Sequence, residues 1–254
     1  MAGHSKWANI KRQKARVDAQ KGKIFTKISR QIIVAARSGL PDIEANFQLR
    51  NAVEKAKAAG IPNDNIDRAI AKGAGRWGAD GNAFEAVRYE GYGAGGVAIL
   101  IEALTDNRNR TAADLRAAFS KNGGNLGETG CVSWIFEQKG VVTVVGPLDE
   151  EALLEAALDG EAESYELTEV DDIAGADVFS AASDLETLNH SLKEHGYNIK
   201  QAELRWIATN TLEVSDAERA RSLLKLMDAL EDLDDVQSVT SNLEMTEELM
   251  VSLA

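Results

Sequence analysis

The chain has 254 residues, 44% of them hydrophobic, and a formal net charge of −13, enough for two or three modest domains with real cores. No apolar run approaches the roughly 18 residues of a membrane-spanning helix, and the start lacks the apolar stretch of a secretory signal, so a soluble, cytoplasmic protein is expected. A single cysteine, Cys131, excludes an internal disulfide framework and fits a reducing compartment.

The net charge hides a division along the chain. Residues 1–76 hold 16 Lys and Arg against 6 Asp and Glu, a balance of +10, which leaves −23 for residues 77–254. Between Gly3 and Arg37 stand Lys6, Lys11, Arg12, Lys14, Arg16, Lys21, Lys23, Lys27, Arg30 and Arg37 against one acid, Asp18. At about 100° per residue, Lys23, Lys27, Arg30 and Arg37 fall within roughly an 80° arc of a helix, with Ile24, Phe25, Ile28, Ile32, Ala35 and Ala36 on the other side. Lysines often do no more than solvate such a face. Here the acids that normally intersperse it are missing, so the segment reads as a polyanion binder whose natural partner is phosphate.

Gly39 and Pro41 stop this first helix. A second reads from Asn46 to Ala59 with Gly60 as its C-terminal cap, and a third opens at Pro62 and Asn63 and ends at Gly73. Three short helices with short links predict a small helical domain. The Gly-rich stretch 74–82 reads as a linker. Strands follow at Ala86–Glu90 and Val97–Leu104, joined by GYGAGG. Thr105–Asn109 reads as a turn, and Thr111 with Asp114 as the capping box of a helix that Gly123 and Gly124 end.

Val132–Phe136 and Val141–Val145 read as strands, then a helix at Asp149–Leu158, strands at Ser164–Thr168 and Asp177–Ala181, a helix at Leu185–Glu194 and a strand at Lys200–Ala208. That order is what a βαββαβ ferredoxin-like unit requires. The remainder, strand Thr211–Val214, helix Ala217–Leu230 and strand Val236–Asn242, supplies too few strands for a domain. The hairpin and helix of 83–130 are incomplete too, so the two parts are expected to pair across the chain.

Other motifs favour structural readings. Gly91, Gly93 and Gly96 satisfy G-x-G-x-x-G, but the β-branched run that follows cannot be the helix of a dinucleotide fingerprint, and a hairpin turn fits better. His4, His190 and His195 are too scattered for a metal site. Cys131 reads as a strand-edge core thiol. Arg108 and Arg110 crowd a strand-to-helix turn and are candidates for a second phosphate or partner contact. Fifteen acids and one lysine, Lys193, between Pro147 and Asn198 read as a solvated surface; the sharper alternatives are that it repels nucleic acid or that it meets basic ribosomal proteins.

The segments GHSKWANIK at 3–11, KGKIFTK at 21–27, LTDNRNRT at 104–111, FSKNGGNLGETG at 119–130 and LLKLMDALEDLDDVQSVTSN at 223–242 resemble the signature segments of the YebC/PmpR family, which also includes a mitochondrial translational activator. The resemblance implies an α+β protein of three domains: a helical N-terminal bundle at 1–76, a discontinuous middle domain at 77–130 plus 206–254, and an inserted ferredoxin-like domain at 131–205. It implies a non-enzymatic regulator of gene expression. Family members are described as DNA-binding transcriptional regulators and, in other branches, as ribosome-associated translation factors.

The expectation is therefore a regulator without cofactor, metal or small-molecule substrate, whose partner is nucleic acid, either DNA or ribosomal RNA on the ribosome. Lys6, Lys11, Arg12, Lys14, Arg16, Lys21, Lys23, Lys27 and Arg30 would grip phosphates, and Trp7 would stack on a base.

Overall fold

The computed structural model describes residues 19–75, 84–170, 173–246 and 249, with the side chains of 19–21 left aside. The chain divides into two compact units, residues 16–134 with 212–253, and residues 135–211.

The first unit begins with α1 (Ala19–Ser38), α2 (Phe47–Ala58) and α3 (Asn63–Gly73). The Asn46 side chain caps α2 by accepting from Leu49 N, and its amide donates to Ala35 O of α1 at 2.9 Å, so one residue starts a helix and ties it to its neighbour. Ile28, Ile32, Leu49, Val53, Ile61 and Ile66 form the buried core of the three helices. Gly73 permits their close approach. A Cβ there would lie 2.5 Å from Ile33 O and 2.7 Å from the Ala36 methyl.

A four-stranded antiparallel sheet follows in the order β3-β1-β2-β9, from β1 (Glu85–Tyr92), β2 (Ala98–Thr105), β3 (Asn125–Leu126) and β9 (Val236–Ser241). Its centre is β2, AILIEALT, nearly continuous in apolar residues because both faces are buried. The turn between β1 and β2 is a 3₁₀ segment with Gly95 at φ 75° inside a hairpin, not the opening of a nucleotide-binding helix. Pairing of Ile99 with Ser241 and of Ile101 with Val239 joins segments some 140 residues apart, as the two unfinished halves of the sequence required. Helices α4 (Arg108–Lys121) and α7 (Ala217–Glu231) pack on each other beside this sheet, and short β8 (Leu212–Glu213) pairs in parallel with β10 (Leu243–Glu244).

The second unit is β4 (Phe136–Val145), α5 (Glu150–Asp159), β5 (Ala162–Val170), β6 (Ile173–Ala181), α6 (Leu185–Glu194) and β7 (Asn198–Ala208). Its antiparallel sheet, ordered β5-β6-β4-β7, and its βαββαβ sequence are ferredoxin-like. Asp149 caps α5 through Glu151 N and Ala152 N, and many of the acids of this unit are exposed. Buried Asp177 is an exception, held by the Thr143 hydroxyl and by Arg205 at 3.0 Å.

Two local expectations are corrected. Helix α4 is capped by Asn107, whose side chain accepts from Arg110 N, and Thr111 sits inside the helix with its hydroxyl turned inward. Residues 132–135 are a loop with a 3₁₀ turn rather than a strand, since Val132 N and Ser133 N donate to the Glu90 carboxylate instead of to a neighbouring strand.

Candidate nucleic-acid interface

Lys6, Trp7, Lys11, Arg12, Lys14 and Arg16 lie outside the described residues, as does the side chain of Lys21. The remaining expected cations sit where helical periodicity puts them, on one face of α1. What that face meets is the chain's own acid-rich turn between α7 and β9.

Lys23 Nζ is 3.3 Å from Asp232 Oδ1, Lys27 donates to Glu231 O at 2.6 Å, and Arg30 donates to Asp234 O and, at 2.8 Å, to Asp235 Oδ1. The Arg30 guanidinium also lies over the Phe84 ring, 5.2 Å from its centroid. Lys27 and Arg30 thus engage acceptors of the chain itself. Periodicity fixes which face a residue occupies, and is silent on what comes to lie against it.

Asp235 is the centre of this junction. It precedes β9, and its backbone carbonyl accepts from Leu104 N of β2 at 2.8 Å. Its carboxylate accepts from Arg30, from Arg110 at 2.9 Å, from Thr111 at 2.7 Å and from Thr105 at 3.2 Å. Burial opposes its charge, but the Thr111 hydroxyl and the two guanidiniums outweigh this and hold the carboxyl below its ordinary range.

Arg108 and Arg110, expected as a second phosphate or partner contact, likewise meet carboxylates of the chain itself. Arg108 makes a two-pronged pair with Glu85 at 2.6 and 2.7 Å, and Arg110 bridges Asp106 and Asp235. The fork geometry of arginine suits carboxylates as well as phosphates, and here carboxylates of the same chain reach it first.

A second polar cluster went unnoticed in the sequence. Glu90 on β1 is 4% exposed, and its carboxylate accepts from Gly130 N at 2.8 Å, Val132 N at 2.6 Å and Ser133 N at 2.9 Å. Burial raises its pKa, yet these backbone donors prevail and the net displacement is downward. Cys131 lies in the loop so held, and burial together with the Glu90 charge pushes its thiol up, which disfavours a reactive thiolate. The density of glycine at 123–130 beside an acid in a strand was the available signal.

Comparison with known proteins follows the same outline. Residues 5–76 match the TACO1/YebC protein N-terminal domain and residues 84–243 match the TACO1/YebC second and third domain. The chain belongs to the TACO1/YebC family. Probable transcriptional regulatory proteins of Gloeothece citriformis and Trichodesmium erythraeum are 71% and 66% identical to it, over 98% and 100% of both chains respectively. A crystal structure of a conserved hypothetical protein of Aquifex aeolicus matches with a TM-score of 0.82 at 45% identity, covering 91% of this chain and 93% of that one. The TACO1/YebC architecture accounts for the α+β fold. Among the described residues, no helix is long and apolar enough to cross a membrane.

Proposed function

We propose that the protein is a regulator of gene expression that binds nucleic acid through its basic N-terminal segment. The observation that carries this reading is the segregation of charge, +10 over residues 1–76 against −23 over the rest. Relatives that match along nearly the whole chain bear the name probable transcriptional regulatory protein, which supports the same class. Because Lys27 and Arg30 already meet acceptors of the chain, as Lys23 does at longer range, we assign the phosphate contacts chiefly to Lys6, Lys11, Arg12, Lys14, Arg16 and Lys21, with Trp7, near them in the sequence, to stack on a base.

About six such contacts predict a log–log salt slope near −4 to −5, since each neutralised phosphate releases roughly 0.7 to 0.9 of a counterion. The test is a salt series with the full-length protein on duplex DNA and on structured RNA. Replacing Lys11, Arg12, Lys14 and Arg16 with glutamine should flatten the slope and leave the melting temperature in place. A slope near zero for the unaltered chain on both nucleic acids overturns the reading. Preference for the duplex identifies a DNA-binding transcriptional regulator, and preference for the RNA identifies a translation factor.

A further inference from the structure

Residues 77–254 hold 12 Lys and Arg against 35 Asp and Glu, so a cation in that stretch stands among an excess of carboxylates. In the first unit Arg108 and Arg110 have taken them, and Arg88 is engaged as well. Lys121 at the end of α4 and Arg219, Arg221 and Lys225 on α7 have not. All four are exposed, and among the described residues no carboxylate pairs with any of them.

The fold brings these four together. On α7, Arg219, Ser222 and Lys225 follow one another at three-residue spacing and Arg221 stands four before Lys225, so each is the surface neighbour of the next. The Ser222 hydroxyl donates to Asn122 O at 3.2 Å, one residue past Lys121, which fixes the end of α4 against the middle of this row. Lys121 and Asn122 line a shallow groove with Ala118 of α4 and with Ala229, one turn beyond Lys225 on α7. The loops at this end of the sheet lie against the same helix. A Cβ on Gly124 would sit 2.8 Å from Leu226 Cδ2, one on Gly123 3.6 Å from Ser222 Oγ, and one on Gly95 3.8 Å from Arg219 Cδ. The cations therefore stand beside backbone that carries no side chain. We infer that Lys121, Arg219, Arg221 and Lys225 form a second contact for the phosphate backbone of a nucleic acid.

Exposed cations often do no more than solvate a helix. Here four unpaired ones from two helices gather within a stretch of net charge −23, and make the local potential attractive to a polyanion that the rest of the stretch repels. Glu218 and Asp228 flank the row on α7, and the acid-rich turn at 231–235 follows, so the attractive area is short and takes a few phosphates rather than a long strand. A protein partner's site needs an apolar centre, whereas no large hydrophobic residue of α4 or α7 is exposed. Exposed Gly95, Gly96 and Gly123 leave room for a sugar-phosphate backbone to come close, and the arginine forks, filled by carboxylates at Arg108 and Arg110, are open at Arg219 and Arg221. The contact rests on the nucleic-acid reading above and extends it from the basic segment to a folded surface.

The experiment uses the full-length protein with the duplex DNA and structured RNA of the salt series. Replacing Arg221 and Lys225 together with glutamine should make the log–log slope shallower by about 1.4 to 1.8, the loss of two phosphate contacts, at unchanged melting temperature. Arg116→Gln is the control. It removes an exposed, unpaired cation of α4 that lies about 140° around the helix from Lys121, and should leave the slope in place. Acylation of lysines in the unaltered chain, a readout that depends on no variant's folding, should be suppressed by saturating nucleic acid at Lys121 and Lys225 and not at exposed Lys193 of the second unit. An unchanged slope for the double variant, an equal change per charge with Arg116→Gln, or acylation of Lys121 and Lys225 that nucleic acid does not alter, overturns this contact while the basic-segment reading stands. Failure of the unaltered chain to bind either nucleic acid overturns both.

Discussion

Arg30 on α1 and Asp235, just before β9, are 205 positions apart and meet at 2.8 Å, with 15% and 8% of their side chains exposed. This pair ties the helical bundle to the sheet. Removing the carboxylate leaves two guanidiniums and two hydroxyls without their common acceptor, so Asp235→Ala should cost about 2–4 kcal/mol in urea unfolding. Arg30→Ala leaves Arg110, Thr111 and Thr105 on the carboxylate and should cost less, about 1–2 kcal/mol. Because both residues share one network, the double variant should fall short of the sum.

Stability should depend on pH through two carboxylates. Asp235 and Glu90 are both held below the ordinary carboxylate range in the folded chain, so as pH falls the unfolded chain takes up protons first. Their contribution is complete above the unfolded value of about 4 and is lost as pH drops through the lower folded values. Asp235→Asn should flatten the dependence of the urea midpoint on pH below about 4, leaving the part due to Glu90.

Glu90→Gln keeps the size of the side chain but replaces one acceptor oxygen with a donor facing backbone N–H groups. A loss of about 1–3 kcal/mol is expected. Hydrogen exchange at Gly130, Val132 and Ser133 should accelerate more than in the core of β2. Equal protection of those amides in the variant would refute the carboxylate's role in ordering the loop.

Gly73→Ala probes the contact of α1 with α3. Its methyl would meet Ile33 O at 2.5 Å, which is backbone and cannot step aside alone. Despite the better helix propensity of alanine, the variant should be less stable by about 1–3 kcal/mol in thermal or urea unfolding.

The cations divide into two groups that substitution should separate. Lys27→Ala and Arg30→Ala should lower stability, because their partners are Glu231 O, Asp234 O and Asp235. Glutamine at Lys11 or Lys14 should weaken nucleic-acid binding at unchanged melting temperature. Binding that falls with Arg30→Ala before any loss of folded protein would return that residue to the interface.

Local periodicity and punctuation were enough to delimit most elements of this protein. Helix α6 at Leu185–Glu194 follows from its apolar spacing, α2 from Asn46 and Gly60, and the ferredoxin-like order from alternating helices and strands. The incomplete strand sets also pointed to pairing across the chain, since an unpaired buried strand leaves its backbone groups unsatisfied, and the structure supplies it as β2 with β9. Charge segregation was equally plain, being a count along the chain. The roles of individual charges were decided only by the tertiary structure: Arg30 and Arg110 converge on Asp235, and Glu90 gathers a loop some 40 residues away. The reason is physical. The period of a helix or strand specifies the direction of a side chain relative to its own axis, while the partner it finds there depends on how distant segments pack.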